Sequence, residues 1–96
     1  MNIEITARHF TASEELKTLV NNKLSKLDKF NVTLTRCHVI LSKENAVEEK
    51  VEIVAHSKGH EYIAHDNSSV FEKSLANSVN KLSIQLKKEH DRMLGH

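Results

Sequence analysis

Ninety-six residues with 39% hydrophobic content are enough for one domain around one modest core. No apolar run approaches the ~20 residues of a membrane-spanning helix, and the alternating amino terminus lacks the apolar block of a signal peptide. The single cysteine, Cys37, excludes an internal disulfide, so the reducing cytoplasm is the expected location.

The net charge of +1 hides an asymmetry. Between Lys43 and Glu61, five acids face three lysines; Thr11–Phe30 holds four lysines against three acids, and Ser69–Arg92 five cations against three acids. Positive charge therefore gathers on two stretches that read as helices, and negative charge on the middle strands. A cation-rich face suits a nucleic acid or an acidic partner; the competing reading is a solvated surface.

In chain order, Asn2–Ala7 alternates, with Ile3 and Ile5 on one side and Glu4 and Thr6 on the other, which predicts a short half-buried strand. Thr11 followed three residues later by Glu14 fits a capping box, so a helix is expected from there. Leu16, Leu19, Val20, Leu24 and Leu27 form its buried face, Glu14 and Glu15 suit its first turn, and Lys26 and Lys29 suit its end. Lys23 falls inside the apolar arc. Either it lays its stem on the core and lifts its ammonium to water, or it lines a groove beside the second helix. Lys23, Lys26 and Lys29 step around one flank at intervals of three.

Val32–Ser42 is rich in β-branched residues and reads as an interior strand, with Cys37 as a small core residue. Lys43–Ala46 is a polar turn. Val47–His56 alternates again, with Val51, Ile53 and Ala55 on the core side. Ser57-Lys58-Gly59-His60 predicts a tight hairpin in which Gly59 takes a positive φ. Glu61–His65 is a fourth, shorter strand, and Asp66-Asn67-Ser68-Ser69 a turn and cap. In the last helix, expected over Ser69–Arg92, Phe71, Leu75, Val79, Leu82 and Leu86 recur at spacings of four, four, three and four, and Met93 continues that row. Beside it runs a row of donors, Lys81, Gln85, Lys88 and Arg92.

The predicted fold class is α+β, a two-layer β-α-β-β-β-α domain. Its four-stranded mixed sheet has a right-handed crossover between the first two strands, an antiparallel meander after it, and both helices on one face. The sheet's other face is at least partly wet.

The residues offer little catalytic chemistry. Seven histidines invite a metal, but no His-Glu-x-x-His pattern or cysteine pair supplies a ligand set, so no metal or cofactor is expected. Cys37 as a nucleophile needs an exposed electropositive setting and a base, and neighbouring His38 points to the opposite face of the strand. Two glycines cannot build a phosphate-cradling loop. Binding remains. If the Lys23–Lys26–Lys29 flank and the Lys81–Lys88–Arg92 flank face the same side, they form one basic groove suited to a phosphate backbone. With few free aromatic rings, recognition of RNA shape and phosphates is favoured over base stacking.

Ile5-Thr6-Ala7-Arg8-His9, Leu16, Lys23-Leu24-Ser25-Lys26-Leu27 and Phe30, together with Lys81-Leu82, Gln85-Leu86, Lys88, Asp91 and Arg92, resemble the ribosome hibernation promoting factor family. That family is also known as ribosome-associated translation inhibitors or sigma-54 modulation proteins. The resemblance spans essentially the whole chain, 1–96, read as one ribosome-binding domain. It implies a fold akin to double-stranded-RNA-binding domains and binding to the small ribosomal subunit between head and body, at the mRNA and tRNA channel. The implied effect is silencing and storage of ribosomes in stationary phase or stress. Implied partners are ribosomal RNA, neighbouring ribosomal proteins and a separate ribosome modulation factor, with no enzymatic activity, membrane or small-molecule substrate. The family's RNA-binding residues map onto Arg8, His9, Lys23, Lys26, Lys81, Lys88 and Arg92; the charge pattern adds Lys29, and the donor row adds Gln85. Ile84 and His90 stand where the family often has basic residues, and Ser69-Val70-Phe71 replaces its usual Asp-Met-Tyr. The chain ends just after the helix, which resembles the short form. Charge reversal at Lys81 and Lys88 is expected to abolish co-sedimentation with small subunits and leave the fold intact. The alternative reading is a protein–protein regulatory module, such as a sigma-factor modulator, centred on Ile84 or the sheet face.

Overall fold

The computed structural model describes residues 1–30 and 32–94, without the side chains of Met93 and Leu94, so the expected continuation of the apolar row to Met93 lies outside the described residues. Strand β1 (Asn2–Arg8) leads into helix α1 (Glu14–Leu24), which passes directly into a 3-10 helix over Ser25–Phe30. Strands β2 (Leu34–Ser42), β3 (Glu49–Ser57) and β4 (His60–Ser68) follow, and helix α2 (Phe71–Leu94) closes the domain. The sheet order is β1-β2-β3-β4, with β1 parallel to β2 and the remaining pairs antiparallel. This is the expected α+β architecture.

One face of the sheet carries the core. Cys37, Val39 and Leu41 of β2 and Val51, Ile53 and Ala55 of β3 are fully buried, and Tyr62 and Ala64 of β4 nearly so. Val20, Leu24 and Leu27 cover it from one side, and Leu75, Val79, Leu82 and Leu86 of α2 from the other. Side chains alternate across a strand, so Glu4, Thr6, His38, Ile40, Glu52, Val54, Ile63 and His65 lie on the opposite, open face. There Ile63 is 48% exposed, and Thr6 Oγ1 bonds His38 Nε2 at 2.8 Å across β1 and β2.

Several boundaries differ from the sequence expectation. The first helix is capped by Ser13, whose Oγ accepts from the Leu16 N–H at 3.1 Å, rather than by Thr11. Ser13→Ala is expected to cost ~1 kcal/mol, read as a lowered midpoint in urea. The α-helix ends at Leu24, because the residues after it repeat every three. Leu24 and Leu27 are buried and Phe30 half-buried, and a 3-10 helix with three residues per turn keeps that period on one side.

Strand β3 begins at Glu49 rather than Val47. Asn45 Oδ1 accepts from the N–H groups of Val47 and Glu48, both at 2.9 Å, and holds those residues in the turn. Strand β4 runs to Ser68, as long as its neighbours, although Asp66-Asn67-Ser68 has turn composition. Pairing with Glu49–Val51 of β3 overrides local preference, and the polar side chains find partners in Asn77, Glu48 and Ser74. Helix α2 therefore starts at Phe71, and its first N–H is met by Glu49 Oε1 at 2.8 Å, a carboxylate from another strand rather than a local cap. The two-residue turn Lys58-Gly59 joins β3 to β4 as expected, with φ +80° at Gly59.

Candidate nucleic-acid interface

The 3-10 helix sets the first cationic row. In an α-helix, residues three apart drift by about 60° per step, whereas in a 3-10 helix they eclipse. The switch at Ser25 therefore stacks Lys26 and Lys29 along one flank about 6 Å apart, with Lys23 at the end of α1 leading into the row. Lys23 is half-buried, as suits a long side chain that lays its stem on apolar surface. The Lys29 ammonium stands 5.2 Å from the centre of the Phe30 ring.

These three lysines line one wall of a shallow groove of about 180 Å³; Ala76, Val79, Asn80 and Ser83 of α2 form the other wall and the floor. Ala76 and Ser83 are small, which leaves a channel along this wall rather than a ridge. Among the described residues no carboxylate pairs with Lys23, Lys26 or Lys29.

The second cationic row does not face this groove. Lys81, Gln85, Lys88 and Arg92 lie on the opposite flank of α2, toward the free edge of β4. Lys81 Nζ donates to the His65 carbonyl at 2.9 Å and to Asp66 Oδ1 at 3.3 Å, and Gln85 Nε2 donates to the Ile63 carbonyl at 2.8 Å. Arg92 pairs with Glu89. The expected single basic groove between the two rows is thus corrected. The rows diverge, because the Leu75–Leu82–Leu86 stripe between them is buried against the sheet and turns one flank to α1 and the other to β4. Lys81 and Gln85 occupy outward carbonyls of an edge strand that would otherwise be open to pairing with another chain. Lys88 is exposed on the same flank.

Arg8 and His9 sit at the far end of the domain. Arg8 closes β1 opposite Ser42, and its carbonyl accepts from the Lys43 N–H at 3.2 Å. His9 has φ 70°, a left-handed turn that swings the chain from β1 toward α1 and presents an exposed imidazole. Phe10 follows and stacks on Phe71 at the start of α2, ring centres 4.9 Å apart. Arg8 and His9 are therefore near the beginning of α2, and Arg92 is near its end.

Sequence reasoning passed over the groove wall on α2. Ala76, Asn80 and Ser83 recur at four and three, and exposed Lys87 continues that row four residues on. The spacing is a readable signal, but it carries one cation against three in the row on the other flank.

Asp66 shows what the β4-side contacts do. The Asn77 side chain donates to its Oδ2 at 2.9 Å and, with Lys81, holds its carboxyl below the ordinary value of 3.8. A lowered folded-state value means that the stabilisation is full above the unfolded value and fades as pH falls through the folded one. The difference in thermal midpoint between the wild type and Asp66→Asn is therefore expected to be present at neutral pH and to shrink below pH 3.8.

Burial pushes the Cys37 thiol up to about 11, so it is protonated at neutral pH and packs against the Met1 sulfur at 3.2 Å. Among the described residues no three histidine, cysteine or acidic side chains are placed to hold a metal ion. No described helix is long and apolar enough to cross a membrane.

A family model described as sigma 54 modulation protein / S30EA ribosomal protein matches residues 3–94. A comparison with curated proteins finds no match. Among solved structures, a ribosomal subunit interface protein from Coxiella burnetii superposes with a TM-score of 0.85 at 24% identity, covering 93% of this chain and 97% of that one. The N-terminal domain of Protein Y from Thermus thermophilus superposes with a TM-score of 0.84 at 22% identity, covering 93% of this chain and 99% of that one. At these identities the two structures share the fold.

Proposed function

Because the chain belongs to the sigma 54 modulation protein / S30EA ribosomal protein family, we propose that it is a non-catalytic ribosome-binding factor. It binds the small ribosomal subunit at the mRNA and tRNA channel, inhibits translation, and keeps ribosomes in a stored state, in pairs or singly, during stationary phase or stress. Residues 1–96 act as one binding unit in the cytoplasm, with ribosomal RNA and neighbouring ribosomal proteins as partners and a ribosome modulation factor assisting pairing. The name of the Coxiella relative, a ribosomal subunit interface protein, supports this reading.

The observation that carries the proposal is the groove between α1 and α2. Lys23, Lys26 and Lys29, which have no carboxylate partner among the described residues, run along a channel with a small-residue wall. Lys23, Lys26 and Lys29 are its principal phosphate contacts and Lys87 extends them. Arg8, His9, Lys88 and Arg92 add contacts at the two ends of α2, and Lys81 and Gln85 act first on the β4 edge. Phosphate neutralisation releases counterions, so binding falls steeply with salt. Co-sedimentation of the purified protein with small subunits at rising salt tests this; binding that is indifferent to salt would refute it.

A second reading is a protein–protein regulatory module without RNA contact. Exposed Ile63 on the open sheet face and Ile84, 54% exposed on α2, favour it. Salt-insensitive capture of a protein partner, lost on Ile63→Asp, would select that reading.

A further inference from the structure

A second concave site lies at the opposite end of the sheet from Arg8, where the β3–β4 turn meets the last turns of α2. It has a volume of about 370 Å³, and Thr33, Ser57, Lys58, His60, Tyr62 and Glu89 line it. Tyr62 is only 8% exposed, and its hydroxyl is the one buried side-chain polar atom among the described residues without a hydrogen-bond partner. Buried hydroxyls are almost always satisfied, so this one marks a place where a partner is missing. The Glu89 side chain is 14% exposed; Arg92 pairs with its Oε2, and His60 Nε2 lies 4.0 Å from its Oε1. The His60 ring is tilted 31° to the Tyr62 ring at 6.3 Å. The site thus offers a fixed, shielded carboxylate, hydroxyls, two rings and an exposed ammonium on Lys58.

We infer that this cleft binds one unstacked nucleotide whose base carries an exocyclic amine. A shielded carboxylate selects an N–H donor, and a carboxylate accepting from the N4 amine of cytosine is a known pairing geometry. The Lys58 ammonium selects an anion, which the nucleotide's phosphate supplies. The Tyr62 hydroxyl, covered in the free protein, gains a partner on the base edge as the side chains over it turn aside. The volume lies within the range of small-ligand sites, and a base reaches such a site only when it is splayed out of a helix. The choice of a nucleotide over other molecules that carry both an amine and an anion rests on the RNA-binding reading above. A looped-out base of folded RNA and a free mononucleotide present the same chemistry.

The test is a titration of the isotope-labelled protein, followed by amide NMR, with CMP, UMP, inorganic phosphate and a hairpin RNA carrying a loop cytidine. UMP replaces the amine with a carbonyl oxygen. CMP is expected to shift the amides of Lys58, His60, Tyr62 and Glu89 with about tenfold higher affinity than UMP or phosphate, the value of one well-placed hydrogen bond. Tyr62→Phe is expected to weaken CMP binding by about fivefold without lowering the thermal midpoint, since the hydroxyl has no internal bond to lose. Glu89→Gln is expected to erase the preference for CMP over UMP. A loop cytidine that outcompetes CMP assigns the ligand to RNA, and the reverse order assigns it to the free nucleotide. Equal responses to CMP, UMP and phosphate, or none at these amides, overturn the inference. Lys26→Glu alters the groove and not this cleft, so a retained CMP response in that variant separates this result from any failure of subunit binding.

Discussion

Replacing Lys23, Lys26 and Lys29 together by glutamine is expected to weaken binding to small subunits by a factor of about 10² to 10³ near 0.1 M salt. Three phosphate contacts give log K a slope of about −2 to −3 against log salt, and their loss removes that slope along with the affinity. The fold should survive, because no described carboxylate depends on these ammoniums and Lys26 and Lys29 are exposed. Sedimentation at several salt concentrations, with circular dichroism as the control for folding, gives the answer. A triple variant that binds with unchanged affinity and slope would remove the groove from the interface.

The same experiment on Lys81, which the sequence alone recommends, is less clean. Lys81→Glu puts a second carboxylate beside Asp66 and frees the His65 carbonyl on an edge strand. Reduced binding there would mix lost phosphate contact with a disturbed β4. Lys88→Glu lacks this complication and is the better probe of that flank.

Leu82→Ala is expected to lower stability by about 2–5 kcal/mol, the range for truncating a fully buried leucine. At this chain length each kcal/mol moves the thermal midpoint by about 4–8 °C, so the variant should melt at least about 8 °C lower. Leu82 sits at the middle of the stripe that seats α2 on the sheet, so its loss also loosens the wall of the lysine groove. Ile84→Ala, two residues away and 54% exposed, is expected to change stability by less than about 0.5 kcal/mol. Urea unfolding of both variants checks the contrast; a loss below about 1 kcal/mol for Leu82→Ala would mean that α2 is not held by this stripe.

Element order, the helix-joined parallel pair, the inward face of each strand and the apolar stripe of α2 were all determined by the sequence. Each depends on a short-range period of two or of about 3.6, carried by neighbouring residues such as Val51, Ile53 and Ala55, or Leu75, Leu82 and Leu86. The Lys58-Gly59 turn was legible for the same local reason. Only the tertiary structure decided which flank of α2 meets α1. A period shows that Lys81 and Lys88 share a face, but not which neighbour that face meets; the packing of α2 over β3 and β4 turns it to the sheet edge. The length of β4, the Glu49 cap on α2 and the cleft around Tyr62 also join residues far apart in the chain, such as Glu49 with Ser68, Glu49 with Phe71 and Tyr62 with Glu89, and no local signal reports such contacts.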